Sequence, residues 1–168
     1  VTADITQDVP DGMLFRIPDG SATTIHREKR ITMEDRVARA AEIANRTDGF
    51  VIVWCETNDE STALASAIPD AIEVHGSMGL DEKVAALDAF TFGHRRVIVS
   101  KPKLAGLGLN WQHCARVVFV GLSHSFEQWY QAIRRVYRFG QTREVHCHVV
   151  ISDADGAVVS NLRRKQSD

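Results

Sequence analysis

Residues 131–141 read Gln-Ala-Ile-Arg-Arg-Val-Tyr-Arg-Phe-Gly-Gln, with arginine at three of the five positions 134–138. On a helix turning about 100° per residue, Gln131, Arg134, Arg135 and Arg138 share one face roughly 100° wide, and Phe126, Trp129, Ile133, Val136 and Tyr137 lie opposite. Cations this close repel one another unless something anionic faces them. A guanidinium suits phosphate because it keeps its charge and donates in a planar fork. A solvated basic face is the alternative reading. A second stretch, Ser100-Lys101-Pro102-Lys103-Leu104-Ala105-Gly106-Leu107-Gly108-Leu109-Asn110, pairs two glycines with two lysines and a hydroxyl. Gly106 and Gly108 permit close backbone approach or positive φ, while Ser100, Lys101 and Lys103 offer donors to phosphate oxygens. A turn whose glycines serve geometry alone is the competing reading.

The elements that must hold these residues alternate. Thr32 with Asp35 predicts a capped helix whose Val37, Ala40, Ala41 and Ala44 form an apolar stripe. Residues 50–55 form a short, β-branched apolar run. The capping-box sequence Thr57-Asn58-Asp59-Glu60 then opens a helix that Pro69 closes. Further strands are predicted at 71–75, 96–100, 116–120 and 146–151. Helices follow His75-Gly76, carrying Leu80, Val84, Leu87 and Phe90, and follow Ser125, which with Gln128 caps the arginine-bearing helix. A last, weaker helix spans 158–165. Apolar strands alternating with helices predict an α/β fold: a doubly wound, mainly parallel sheet covered on both faces. Ligands of such sheets bind beyond the carboxyl ends of the strands, here the loops after Cys55, His75, Ser100 and Val120. Residues 1–30, with turn signals at Pro10-Asp11-Gly12 and Pro18-Asp19-Gly20 around a possible strand at 13–17, read as a connector or extension. Residues 31–168 read as the domain.

The composition, 44% hydrophobic and 25% charged with a net charge of −2, is that of an ordinary globular domain. Charge is unevenly spread: residues 31–100 hold six Lys or Arg against twelve Asp or Glu, and residues 101–148 hold seven against two. Any phosphate site is therefore expected in the second half. Cys55, Cys114 and Cys147 are odd in number and set in apolar runs, which predicts buried free thiols in a reducing compartment. His146 and His148 alternate on one strand, but without a second ligand pair no metal site is expected. No apolar run reaches the roughly 20 residues of a membrane span, so a cytoplasmic protein is expected, or a nuclear one if the source is eukaryotic. The chain begins with Val, as a piece of something longer would.

Gln131, Ala132, Arg135, Arg138, Gly140 and Gln141 match Gln-Ala-x-x-Arg-x-x-Arg-x-Gly-Gln, which resembles motif VI of superfamily 2 helicases and translocases, in particular the Swi/Snf-type branch. Arg134 departs from the acidic residue often found there. Ala-Gly-Leu-Gly-Leu-Asn at 105–110 resembles the end of motif V, with a loop one residue longer and Ser100-Lys101 in place of the usual Ser-Thr. Residues 51–57 resemble motif IV, and His75-Gly76 the block that follows it. The resemblance covers residues 31–151. It implies the second RecA-like lobe of an ATP-driven DNA translocase, with Arg138 as arginine finger and Arg135 as second phosphate contact or interlobe anchor. It also implies Gln131, Gly106, Gly108 and Asn110 on the nucleotide side. Ser100, Lys101, Lys103, Thr57, His75 and Ser77 are implied along a nucleic-acid strand, and Gln141 as shaping the turn after the helix. Trp111 is read as stacking on a base or the other lobe, or as core.

The implied cofactor is ATP with Mg²⁺, the metal held mainly by another lobe, because no Gly-Lys pair exists here to build a Walker A cradle. Asp59-Glu60 and Asp81-Glu82 close no apolar strand, so neither reads as a Walker B acid. The fragment alone is therefore expected to be inactive. The implied partners are DNA, duplex more than single-stranded, and the N-terminal RecA-like lobe of the same chain. Short inter-motif segments favour a bacterial or viral source. A non-catalytic binding module derived from such a lobe and a superfamily 2 RNA helicase lobe are the alternatives.

Overall fold

A computed structural model describes residues 27, 30–107, 109–121 and 125–152, the side chains of 105–107 and 126 excepted. The expected strand at 13–17, the expected helix at 158–165 and Gly108 lie outside the described residues. In chain order the elements are α1 (Met33–Asn45), β1 (Val51–Trp54), α2 (Asn58–Ala67), β2 (Ala71–Val74), α3 (Leu80–Thr91), β3 (Val97–Ser100), a 3-10 helix (Pro102–Leu107), β4 (Arg116–Val120), α4 (Phe126–Ile133) and β5 (His146–Val150).

The sheet order is β2-β3-β1-β4-β5 and every pairing is parallel. Side chains alternate across it, so each strand feeds two cores. Ile52, Trp54, Ile98, Val117 and Phe119 face Phe90 of α3, Ala132 of α4, Trp111 and Val136. Val51, Val53, Val97, Val99, Val118 and Val120 face the small-residue stripe of α1 and Leu64 of α2. Burial falls from the centre outward. β1 and β3 are buried throughout, while the edge strand β5 is exposed at His146 and Cys147. Cys55 and Cys114 are thus the buried thiols expected from their apolar surroundings, and Cys147 is not.

Three other local expectations change. Thr32 precedes α1 without a side-chain capping bond; its hydroxyl accepts from Arg36 Nε at 3.2 Å. On α3, Leu87 and Phe90 are buried, but Leu80 and Val84 are exposed, because the sheet edge beneath the first turn offers them no partner surface. The arginine helix ends at Ile133, well short of Arg138. Beyond it the turns tighten: Arg135 N donates to Ala132 O at 3.4 Å and Val136 N to Ile133 O at 3.0 Å. Of the next carbonyls, which a continuing helix would need, two are taken by other donors. Trp111 N reaches Arg135 O at 2.9 Å and Gln141 Nε2 reaches Val136 O at 3.2 Å.

The Thr57 capping box is complete. Thr57 Oγ1 accepts from Glu60 N at 3.2 Å, and Glu60 Oε2 accepts from Thr57 N at 3.1 Å and Glu56 N at 3.0 Å. Glu60 is not at the surface, where such a residue usually sits. Its Oε1 meets Arg36 Nη1 at 2.6 Å, with side chains 2% and 0% exposed. This pair locks α1 to the loop leaving β1.

Candidate phosphate and nucleic-acid surfaces

The tightened turn after α4 separates the arginines that helical spacing puts on one face. Arg135 swings inward to 9% exposure, and its Nη1 donates to Leu109 O at 3.3 Å. Its Nε is buried without a hydrogen-bond partner. Burial, and secondarily the charge of Arg138, lowers the pKa of Arg135. Arg134 stays exposed with its guanidinium 5.9 Å from the Tyr130 ring. Arg138 is exposed; its carbonyl accepts from Gln141 N at 3.0 Å, and its guanidinium bonds no described residue. A buried guanidinium with an unbonded donor is costly unless a counter-ion or acceptor reaches it.

The turn is rigidly framed. Gln141 Nε2 donates to Gln112 O at 2.9 Å, Cys114 O at 3.1 Å and Val136 O, while its Oε1 accepts from Arg143 N at 3.1 Å. Gln112 Nε2 donates to Phe139 O, and Arg143 Nη2 to Gln112 O at 2.9 Å. Gly140 has φ of 93°, a conformation costly for any side chain. Gln141 thus shapes the turn through its amide. Gln112 and Arg143, its partners, carry no signal in the sequence. Trp111 is core: 1% exposed, packed on Phe90 at 5.2 Å and tied through Nε1 to Thr91 Oγ1 at 2.9 Å.

The nucleic-acid candidates gather elsewhere. Because all five strands are parallel, Thr57, His75 and Lys101 leave β1, β2 and β3 on the same rim of the sheet. An open groove of about 220 Å³ there is lined by Cys55, Glu56, Lys101, Pro102, Lys103 and Gln128. Thr57 is exposed, and His75 Nδ1 lies 2.7 Å from Ser77 Oγ. Ser100 departs from expectation: it is 3% exposed and its hydroxyl donates to Val74 O at 2.8 Å, so it stabilises the sheet and is withheld from a ligand. Cys55 is no nucleophile, since burial pushes its thiol up to about 12. Among the described residues no three His, Cys, Asp or Glu side chains converge on a metal-sized site.

α4 starts on this rim and runs back along the sheet, so the turn after it reaches the opposite end. Gln141 bonds Cys114 O, and Cys114 Sγ bonds the carbonyl of Phe50, which precedes β1. The arginine turn is therefore a flank of the domain, distinct from the groove. Gln131 is exposed on α4 and Asn110 is exposed after the 3-10 helix. Gly106 is in the 3-10 helix, which packs against α4.

Known proteins share this arrangement. A region of the mouse ATP-dependent DNA helicase Q4 is 36% identical over 98 residues, covering 57% of this chain and 8% of that protein. The human ATP-dependent DNA helicase Q4 is 26% identical over 132 residues, covering 68% and 11%. The chain thus spans about a tenth of the curated relatives it matches. Among solved structures, the C-terminal domain of the DEAD-box protein Dbp5 superimposes with a TM-score of 0.68 at 19% identity, covering 80% of each chain. The C-terminal part of the Fun30 ATPase domain gives 0.59 at 16%, covering 85% of this chain and 44% of that one. These likenesses establish the RecA-like fold. Residues 32–140 match the helicase conserved C-terminal domain, and the chain belongs to that family, as a RecA-like C-terminal lobe of superfamily 2 helicases.

Proposed function

We propose that this lobe completes the ATPase site of a DNA-directed motor whose nucleotide is cradled by a second, N-terminal RecA-like lobe. The observation that carries the reading is that, among the described residues, Arg135 is buried with an unbonded Nε and Arg138 is exposed with an unpaired guanidinium. Both side chains fit a phosphate. ATP supplies the transferable phosphoryl group. Arg138 is the finger that adds positive charge as negative charge develops on that group, and Arg135 is the second contact, preorganised by its bond to Leu109. Gln131, Asn110, Gly106 and Gly108 are the residues assigned to the nucleotide. The arginines gain their counter-ion only when the lobes close, so nucleotide favours closure and loss of the phosphate favours reopening.

On the rim, Lys101, Lys103, Thr57, His75 and Ser77 hold one strand through its backbone, which predicts binding that is insensitive to sequence and sensitive to salt. Alternating closure then moves the lobes along the strand. DNA is favoured over RNA because the matched curated relatives are named DNA helicases. The Gly140-Gln141 ending favours the Swi/Snf-type branch, and thus translocation on duplex DNA. The likeness to helicase Q4 favours strand separation.

The deciding experiment is steady-state ATP hydrolysis by the longer parent polypeptide with duplex DNA, single-stranded DNA or RNA, beside Arg138→Ala. Stimulation by DNA that the variant loses by roughly 10³–10⁵-fold, with folding retained, supports the reading. A variant as active as wild type removes Arg138 from the site. A parent without nucleic-acid-stimulated turnover favours a binding module. Triplex displacement against duplex unwinding separates the two branches.

A further inference from the structure

The side chains on either side of Arg138 have no role in the chemistry above. Phe139 is fully exposed at 102%, Tyr137 is 61% exposed, and Tyr130, under the Arg134 guanidinium, is 46% exposed. Aromatic side chains this open are uncommon on a solvated surface, and aromatics interleaved with arginine typify the energetic centres of protein interfaces. Nor is Phe139 a loose tip. Its carbonyl accepts from Gln112 Nε2, its successor Gly140 is fixed at φ 93°, and Gln141 is latched to three carbonyls. A ring presented on a fixed backbone loses little freedom on docking.

We propose that Phe139, flanked by Tyr137, is a hydrophobic plug that seats in an apolar recess of the nucleotide-holding lobe when the two lobes close. The inference rests on the functional reading above and adds to it an interlobe contact that is not electrostatic. Consecutive Cα atoms are about 3.8 Å apart, so a surface that brings phosphate against Arg138 comes within side-chain reach of Phe139. The plug acts only in the closed state, so it biases closure without touching the reacting atoms. The occupant is the other lobe and not a nucleobase, because the ring lies on the flank of the domain, away from the lysine-lined groove on the rim.

The test uses the parent polypeptide with a donor–acceptor dye pair, one dye on each lobe, titrated with a non-hydrolysable ATP analogue in the presence of duplex DNA. Burying an aromatic ring in a closed state shifts its equilibrium by roughly ten- to a hundredfold. Phe139→Ala should therefore raise the nucleotide concentration at half-closure by that factor, and Phe139→Trp should restore it. DNA affinity without nucleotide should stay unchanged in both variants. Half-closure at the same concentration in Phe139→Ala, or a wild type that never closes, overturns the proposal. A loss of nucleotide-free DNA affinity overturns it in favour of base stacking. The readout is separate from hydrolysis: a wild type that closes but does not turn over ATP sinks the functional reading and leaves the plug to be scored on closure.

Discussion

Replacing Arg36 by Met tests the buried ion pair at the root of the groove. The side chains of Arg36 and Glu60 are 0% and 2% exposed, with Nη1 and Oε1 2.6 Å apart. Methionine fills much of the arginine volume but leaves the Glu60 carboxylate buried, with backbone N–H donors on Oε2 and no cation on Oε1. Breaking a buried pair from one side costs about 3–5 kcal/mol. At about 2–4 °C per kcal/mol for a domain of this size, the melting temperature should fall by roughly 6–20 °C. Adding Glu60→Gln removes the stranded charge while its Oε1 can still accept from the Glu56 and Thr57 amides. Arg36→Met/Glu60→Gln should therefore recover most of the loss, since a buried pair replaced whole is often near neutral. Thermal unfolding of the three variants beside wild type, by circular dichroism, is the assay. A single Arg36→Met variant that melts within about 2 °C of wild type would show that the carboxylate reaches water, and the locking role would fail.

Other outcomes follow from the same bonds. Gln141→Ala strips one amide from the Gln112, Cys114 and Val136 carbonyls and should cost about 1–3 kcal/mol in chemical denaturation. Gly140→Ala forces a Cβ into φ of 93° with Gln112 Nε2 3.4 Å away. A loss of about 1–3 kcal/mol is expected by the same measurement, and none would mean that the turn relaxes. Burial first, then the charge of Arg143, lowers the pKa of His113; burial, then Arg116, lowers that of His148. Each is neutral in the fold where the unfolded chain is protonated, so the unfolded state binds more protons and stability rises with pH. Stability should be full above the ordinary histidine value of about 6.5 and decline as pH falls through and below it, and His113→Gln should flatten that decline. In the parent polypeptide, Lys101→Ala/Lys103→Ala should weaken DNA binding and reduce the salt slope by up to about two, whatever the sequence.

The sheet was legible because β1, β3 and β4 lie at its centre, where both faces are covered and an apolar run is what the environment demands. The Thr57 capping box was legible for a local reason, since its bonds join residues three positions apart. The reading weakened where distant groups decide. Leu80 and Val84 have helical spacing, but periodicity does not report whether a surface waits beneath them. Helical spacing also put Arg135 beside Arg138. In the structure Trp111 N captures the Arg135 carbonyl that would have continued the helix, and that donor comes from a distant loop; Gln141 takes the Val136 carbonyl from just downstream. Nothing in the sequence joins Glu60 to Arg36, 24 positions away.

The ties between segments 109–114 and 135–143 have a mechanical meaning. Trp111 N holds Arg135 O, Arg135 Nη1 holds Leu109 O, and the Gln141 amide spans Gln112, Cys114 and Val136. Such bonds hold only over a limited range of distance and angle, so neither segment can slide past the other without breaking several at once. The two behave as one lever that bears the arginine turn. A displacement of residues 109–114 is delivered to that turn with little play to absorb it.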